Sequence, residues 1–485
     1  MTNDERSTNA QMTRHPERAH RHSDFGIPSG VVNRHSSLSS GLVATSAQVG
    51  ELLEKIAAVD RVAVDTEADS LHCYREKLCL IQISLPGRDV VVPPLWGDAS
   101  QERRGPNTRR DRRSRLQRDY IVDPLAEVAD VAEPASGGQA LQSQQRDRSR
   151  DGSRKGWAIQ PVQRTGCPPG AQRIDLVPLC AELERKEIVL HGADFDLRLL
   201  RRGLNFSARR IFDTVIAARV LGIREFSLAT LVKQHFGVEL GKGSQKANWA
   251  RRPLPARMIE YAMNDTHYLL PLADCLESQL RERDRLDWLR QSCQRAIEQA
   301  AIERVRDEDE LWRIRGSASL RGREAAVLRA LWQWRDNEAE AADRPPFHIL
   351  QNHQLLNAAT SFASGSMPDY KHFSSRRRQA FRQAAQAAMQ LPESEWPVLR
   401  RRSGTRPGRE AVHRAEELQR RRDRAAKELD LEPSFIAPRS TIETIAANET
   451  HATTLLVPWQ KELLGIKARP RGLSRSFPFE DRPAS

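Results

Sequence analysis

The sequence predicts an α/β protein, a mixed sheet with helices, followed by an all-α region. The first observation is the order of apolar segments from residue 42 to residue 92, which is typical of strand, helix, strand, strand and strand. The second is the spacing of Val327, Leu328, Leu331 and Trp334, which places these side chains on one helical face. We therefore expect a sheet domain that is followed along the chain by helical bundles.

The composition fits two or three folded domains with charged, low-complexity segments. The chain has 485 residues, of which 39% are hydrophobic and 29% are charged, and its formal net charge is +13. A basic surplus of this size favours a polyanionic partner. The alternative is that the arginines only solvate disordered tails.

The sequence shows no sign of membrane insertion or secretion. It contains no run of about 18 apolar residues, and its N-terminus lacks the apolar core of a signal peptide. The six cysteines form no C-x-x-C pair and no spacing that completes a zinc site, so we expect free thiols in a reducing compartment. We therefore expect a cytoplasmic protein with no membrane partner.

The first elements of the sheet domain come early in the chain. Residues 1–40 are polar, and we expect them to form a disordered tail. Ser46 is the expected N-cap of the first helix. Apolar, β-branched runs predict strands at 42–44, 62–67, 78–84 and 89–92.

Residues 94–173 interrupt this pattern. They are rich in Arg, Ser, Gln, Gly and Asp, so we expect a long insertion that is largely disordered. One piece, 120–125, repeats the pattern of 90–95, and either could be the end of the third strand. A basic insertion could bind a phosphodiester substrate, or it could be a solvated loop without a role.

Order returns after the insertion, with capping residues at several helix starts. A helix is expected at 174–183 and a buried strand at 188–191. Asp194 and Asp196 stand at the start of the next helix, and capping is the expected role of Asp194. Asp213 and Ser227 are the expected N-caps of two further helices.

Five side chains form the candidate site. Asp65 and Glu67 are two residues apart on a strand, so their carboxylates leave the same face. Asp196 lies at a helix start just after a strand, where α/β sheets place their chemistry. Tyr261 and Asp265 are four residues apart and share one face of a helix. Crowded carboxylates repel unless a hard divalent cation lies between them; the alternative is solvated acids and helix caps.

The segment from Trp249 to Leu254 is irregular and basic. It contains Arg251 and Arg252 and could bind phosphate while the Trp249 ring stacks on a base. The alternative is that Trp249 covers the core and the arginines lie on the surface.

Taken in order, these residues resemble the DEDD family of 3′→5′ exonucleases in its tyrosine-bearing branch, and within it ribonuclease D. The three motifs are 64–67, 191–197 and 261–268, and 249–254 stands where the family carries a W-x-x-R-P-L run. Residues 323–345 resemble the helicase-and-RNase-D C-terminal (HRDC) domain, and 421–460 resemble a degenerate second repeat. The insertion departs from the usual family pattern.

The resemblance implies a ribonuclease H-like exonuclease domain followed by one or two all-α HRDC-type bundles. The expected boundaries are a tail at 1–40, an exonuclease domain at 41–300 with the insertion at 94–173, an HRDC domain at 308–400, a second HRDC-like segment at 408–468 and a tail at 469–485.

The resemblance also implies a reaction, the hydrolysis of phosphodiester bonds from RNA 3′ ends with release of nucleoside monophosphates. Two Mg²⁺ ions about 4 Å apart, for which Mn²⁺ can substitute, would support it. Asp65 would bridge the ions, and Glu67 and Asp265 would complete the site that activates water. Asp196 would hold the second ion, and Tyr261 would orient the attacking water.

The implied partner is RNA, with tRNA precursors as the typical substrate of the family, and a monomer is expected. Two alternatives remain open, a DNA 3′→5′ exonuclease of the same fold and a non-catalytic RNA-binding adaptor. The candidate substrate contacts are Gln82, His191, Trp249, Arg251 and Arg252.

Overall fold

The structure is a computed structural model that describes residues 41–87, 118–126, 174–241, 243–302, 310–397 and 408–466. Several expectations fall outside these residues. They are the two predicted tails, the strand predicted at 89–92 and most of the predicted insertion.

A six-stranded sheet with the order β1-β4-β3-β2-β5-β6 forms the centre of the first domain. Its strands are β1 Leu42–Val43, β2 Arg61–Ala68, β3 Leu78–Leu85, β4 Arg118–Val122, β5 Glu187–Leu190 and β6 Arg210–Asp213. Strand β3 is antiparallel to both β2 and β4, whereas the other neighbours run parallel. The predicted mixed sheet is confirmed.

Strand β4 lies inside the predicted insertion and includes part of 120–125, one of the two candidates for the end of the third strand. It pairs antiparallel with β3 along 118–122 and parallel with β1. Of the two candidate segments, 90–95 and 120–125, the second therefore contributes to the strand beside β3. The reason is burial, since Tyr120, Ile121 and Val122 are all buried in the sheet. The chain thus returns to the sheet within a segment of low-complexity composition.

Helices cover both faces of this sheet. They are α1 Ser46–Ala57, α2 Val177–Leu183, α3 Asp194–Leu204, α4 Thr214–Val220, α5 Leu228–Phe236, α6 Ala256–His267, α7 Leu269–Glu282 and α8 Leu286–Ala301. The cysteines of the described ranges are buried and free, as predicted: Cys73, Cys79, Cys180, Cys275 and Cys293.

The caps of these helices agree with the sequence in part. Asp213 and Ser227 cap α4 and α5 as predicted. The cap of α1 is Thr45 rather than Ser46, because the Thr45 side chain accepts a hydrogen bond from the backbone of Gln48. The predicted capping role of Asp194 is wrong, since this residue is already helical. Its carboxylate instead pairs with Arg198 one turn along α3.

Two helical bundles follow the sheet domain. The first bundle consists of α9 Gly322–Ala341, α10 Pro346–Ile349, α11 Asn352–Ala363 and α12 Ser375–Met389. The second bundle consists of α13 Arg409–Leu429, α14 Pro433–Ile436, α15 Arg439–Ala447, α16 Ala452–Leu455 and α17 Pro458–Leu463. Each has its own hydrophobic core. Across the described ranges, no helix has the length and apolar character needed to cross a membrane.

The first bundle contacts the loop that follows β2. The Tyr74 hydroxyl donates to Asp336 of α9 at 2.7 Å, and Arg75 pairs with Glu340 at 2.7 Å. Tyr74 also packs against the core of this bundle. The loop that leaves the strand of Asp65 and Glu67 is therefore held by α9.

The second bundle packs against α8. The rings of Trp288 and Trp459 stack with centroids 4.9 Å apart. The guanidinium of Arg285 donates to the backbone carbonyl of Leu429 at 2.9 Å. Both bundles therefore pack directly on the sheet domain.

Candidate active site

Helix α6 lies across β2, β3 and β4 and brings the third motif to the first. Its buried residues Met258 and Ala262 pack with Leu80 of β3 and Ile121 of β4. This apolar contact fixes the helix over the sheet, because it removes these side chains from water. Tyr261 and its neighbours are thereby placed above the strand that carries Asp65.

Three carboxylates meet beneath α6. Ligand oxygen atoms of Asp65, Glu67 and Asp265 all lie within 4.8 Å of one another. Oxygen ligands at such spacing suit a hard divalent cation. The structure thus brings the first and third motifs together, although about 200 residues of sequence separate them.

Asp196 joins this group from the N-terminal turn of α3. Its Oδ1 accepts a hydrogen bond from the Thr66 hydroxyl at 2.5 Å. Thr66 stands between Asp65 and Glu67, and its side chain leaves the other face of β2. Sequence reasoning did not assign a role to Thr66, although a hydroxyl residue between two acids on a strand is a signal that could have found it.

The four acids destabilise one another's charged forms. Burial, followed by the charges of Asp196, Asp265 and Glu67, raises the pKa of Asp65 well above its ordinary value. Burial and the charges of Asp265 and Asp196 raise the pKa of Glu67 to about 9. Burial likewise raises the pKa values of Asp196 and Asp265. A partly buried cluster with this surplus of negative charge fits divalent cations, which would favour the ionised acids.

Tyr261 stands one helical turn before Asp265. Its hydroxyl lies near the carboxylate of Asp265 and the side chain of Gln245, and both groups influence its pKa. Burial and the nearby charges of Asp265 and Glu67 raise the pKa of Tyr261. The phenol is therefore neutral at physiological pH, which suits a group that positions water rather than a base.

A second set of contacts fixes the turn before α3. The buried Asp213 carboxylate accepts hydrogen bonds from the backbone N–H groups of Gly192 and Ala193, at 3.0 and 2.8 Å. It also accepts from Val215 and Ile216 at the start of α4. Gly192 adopts a φ of 82°, which a residue with a Cβ rarely adopts. Asp213 thus holds the turn that delivers Asp196.

Two aspartates, one in β4 and one directly after it, form hydrogen bonds near the two ends of α6. Asp123 forms two hydrogen bonds with the Arg252 guanidinium, at 2.5 and 2.6 Å, just before the helix begins. Asp119 bonds to His267 at 2.6 Å where the helix ends. Sequence reasoning gave no role to Asp119 or Asp123, because β4 lies in a segment that was expected to be largely disordered.

The structure corrects three of the predicted substrate contacts. Trp249 is only 1% exposed and packs against Tyr261, so the prediction of an exposed stacking ring is wrong. Arg252 is committed to Asp123 and to the carbonyls of Cys79 and Trp249. Gln82 is 0% exposed and so cannot reach a substrate from solvent. Trp249 and Gln82 are instead enclosed by the contact of α6 with the sheet, whereas Arg252 stays partly exposed.

The other two candidate contacts remain accessible. Arg251 is exposed at the surface near α6. His191 is partly exposed, and its Nδ1 lies 2.8 Å from the Thr214 hydroxyl oxygen. Burial lowers the pKa of His191, so a neutral imidazole is expected at physiological pH. Their role as substrate contacts stays a prediction.

The raised pKa values predict how the metal-free protein responds to pH. A carboxyl group with a raised pKa keeps its proton in the folded protein and loses it on unfolding, so rising pH favours the unfolded chain. In EDTA we expect Tm to fall as the pH rises from about 6 to about 9, the value to which the pKa of Glu67 is raised. Thermal denaturation across this range measures the slope.

Glu67→Gln is the matched control, because it removes one of the raised groups at nearly constant volume. Its Tm should depend less steeply on pH over the same interval. Added Mg²⁺ should raise the wild-type Tm most at the alkaline end. Equal slopes for wild type and variant would contradict the raised pKa of Glu67.

Comparison with known proteins agrees with this geometry. The model of the 3′–5′ exonuclease family matches residues 42–99 and 173–281, and that of the HRDC domain matches residues 324–363. Ribonuclease D of Sphingobium indicum is 33% identical over 40% of this chain and 50% of its own length. Ribonuclease D of Xanthomonas oryzae pv. oryzae is 29% identical over 58% of this chain and 77% of its own length.

The chain therefore contains a 3′–5′ exonuclease domain and an HRDC domain, and it is similar to proteins named ribonuclease D. It is also similar to the exosome complex component 10 homolog of Drosophila melanogaster, with 31% identity over 36% of this chain. That match spans 20% of the Drosophila protein, so the chain covers half or less of several curated relatives.

Solved structures show the same ribonuclease D fold. The crystal structure of Escherichia coli RNase D matches with a TM-score of 0.54 and 19% identity, over 87% of this chain and 96% of that chain. A protein from Bifidobacterium adolescentis matches with a TM-score of 0.61 and 17% identity, over 87% of this chain and 94% of that chain. Both matches extend beyond the sheet domain, and the predicted fold is confirmed.

Proposed function

We propose that this protein is a 3′→5′ exoribonuclease that hydrolyses phosphodiester bonds with two divalent cations and releases nucleoside monophosphates. The observation that carries the proposal is the meeting of Asp65, Glu67 and Asp265 within 4.8 Å, with Tyr261 one turn away on α6. An acid cluster alone is common on proteins. This group is specific, because Asp65, Glu67 and Asp265 come from the first and third motifs of an exonuclease family and Asp196, from the second motif, joins them through Thr66.

Each side chain has a role that follows from its place. Asp65, Glu67, Asp196 and Asp265 would hold the cations, with Asp65 central because the other three charges all act on it. The cations would lower the pKa of a water molecule and offset charge at the scissile phosphate. The neutral Tyr261 hydroxyl would orient the attacking water, while Gln245 and Asp265 fix the phenol.

The metal and the RNA are proposed in more detail from the chemistry of the site. Mg²⁺ is the proposed cation, with Mn²⁺ as a substitute, since all ligands are carboxylate oxygens. The proposed substrates are tRNA precursors, with Arg251 and His191 as contacts. The formal charge of +13 supports binding of a polyanion. We also propose a cytoplasmic monomer with the domain boundaries given above.

A digestion time course tests the function. It uses 5′-labelled RNA and DNA of the same sequence, with Mg²⁺ or EDTA, and compares wild type with Asp265→Asn. We expect a ladder that shortens from the 3′ end of the RNA only with Mg²⁺. The variant should give no ladder, because Asp265 is one of the three clustered ligands.

The other outcomes separate the competing functions. Equal or faster digestion of DNA would indicate a DNA exonuclease, since discrimination depends on contacts with the 2′-hydroxyl. Tight RNA binding without cleavage, at any Mg²⁺ concentration, would indicate an RNA-binding adaptor. Either result would overturn the proposed exoribonuclease.

A further inference from the structure

Gln82 is a polar side chain enclosed in the protein at the middle of β3. It is 0% exposed, and neither Oε1 nor Nε2 has a hydrogen-bond partner among the residues that the structure describes. A buried amide left without hydrogen-bond partners destabilises the folded protein. Leucine or methionine would fill the same space without this penalty, so the amide calls for a functional explanation.

The strand register places Gln82 beside the acid cluster. Gln82 pairs directly with Asp65 on β2 and with Ile121 on β4. Directly paired residues of antiparallel strands point to the same face of the sheet, with Cβ atoms about 5 Å apart. The Gln82 amide and the Asp65 carboxylate therefore leave the sheet side by side.

The neighbours of Gln82 along β3 show what lies above it. Leu80 packs with Ala262 of α6. On the other side, the Ser84 hydroxyl donates to the Thr266 hydroxyl of α6 at 2.8 Å. Gln82 lies between these two contacts on the same face of β3. Its amide is thus enclosed between Asp65 and the helix that carries Asp265.

We propose that Gln82 is a positioning residue whose Nε2–H group holds the Asp65 carboxylate in its cation-binding orientation. The inference rests on the proposed function, because it assumes cations at the acid cluster. An ionised carboxylate only accepts hydrogen bonds, and an amide N–H in its reach is the complementary donor. The terminal torsion of a glutamine side chain rotates easily, so the amide can turn toward Asp65.

This role differs from the substrate contact predicted from sequence. A side chain that is 0% exposed does not touch RNA. It acts through Asp65 instead. Groups that hydrogen-bond to a metal ligand typically change metal affinity by about 10- to 100-fold.

The test uses Gln82→Met, which keeps the length and most of the volume of the side chain but removes both polar atoms. In EDTA, its Tm should equal or exceed that of wild type, since no hydrogen bond within the metal-free protein is lost. Titration calorimetry should show an affinity for Mn²⁺ that is about tenfold weaker. Exonuclease activity should fall at limiting Mg²⁺ and recover at high Mg²⁺.

Ile81→Val is the matched control on the opposite face of β3. Ile81 is buried in the main core of the sheet domain, so its truncation should lower Tm by a few degrees. It should leave Mn²⁺ affinity unchanged, because its side chain faces away from Asp65. This variant separates a general loss of packing from an effect on the acid cluster.

Two results would overturn the role of Gln82. One is wild-type Mn²⁺ affinity in Gln82→Met. The other is a metal-free Tm that falls below that of Ile81→Val, which would mean that the amide forms structural hydrogen bonds. The proposed function itself fails if the wild-type protein neither binds Mn²⁺ nor digests RNA. If the wild type digests RNA and Gln82→Met has the same Mn²⁺ affinity as the wild type, only the role of Gln82 is refuted.

Discussion

Asp65→Asn should reduce kcat/KM on RNA by about 10³-fold or more while raising the Tm of the metal-free protein. The activity falls because Asp65 is the proposed central ligand, and a loss of about 4 kcal/mol of transition-state stabilisation corresponds to such a factor. The Tm rises at neutral pH because Asp65, whose pKa burial and the charges of Asp196, Asp265 and Glu67 raise, must take up a proton when the metal-free chain folds, whereas asparagine needs none. Single-turnover digestion and thermal denaturation in EDTA measure the two effects.

Opposite signs for activity and stability distinguish a metal ligand from a structural residue. Asp60→Asn is the control, since it makes the same chemical change at an exposed position just before β2. It should alter neither the rate nor Tm appreciably. Turnover of Asp65→Asn at the wild-type rate, at fixed Mg²⁺, would refute the assignment of Asp65.

The second large effect is expected on stability, from Asp213→Ala. Four backbone N–H groups donate to the Asp213 carboxylate, and the alanine variant leaves them without an acceptor in a buried place. We expect a loss of about 3 kcal/mol or more, which would lower Tm by about 10 °C. Mg²⁺-dependent activity should fall as well, because the turn that precedes Asp196 loses its support.

Asp194→Ala is the matched control for this prediction. Asp194 also stands at a helix start, but its carboxylate is 62% exposed and pairs with Arg198 on the surface. A surface ion pair contributes at most about 1 kcal/mol. If Asp194→Ala lowers Tm as much as Asp213→Ala, then the buried hydrogen bonds of Asp213 do not stabilise the turn as we infer.

Local sequence patterns were sufficient to select the candidate acids. The spacing of Asp65 and Glu67 follows from the two-residue period of a strand, and that of Tyr261 and Asp265 from the turn of a helix. The capping roles of Asp213 and Ser227 are local as well, since a cap bonds within its own first turn. For such features, the residues that decide the structure lie within four positions of one another.

The substrate segment shows where local patterns fail. Trp249 and Arg252 lie in a polar, irregular stretch that is typical of a surface loop. The partner of Arg252 is Asp123, which directly follows β4. The pairing joins residues that are far apart in sequence, so nothing near Arg252 could reveal it.

The sequence by itself thus predicted the mixed sheet, the helical bundles and a candidate site of four acids with Tyr261, from short-range periodicity and from the resemblance of its motifs to an exonuclease family. Only the tertiary structure decided that 118–122 forms β4, that Trp249 is buried and that Gln82 lies beside Asp65. These three facts depend on strand pairing and burial, which arise when distant segments pack together.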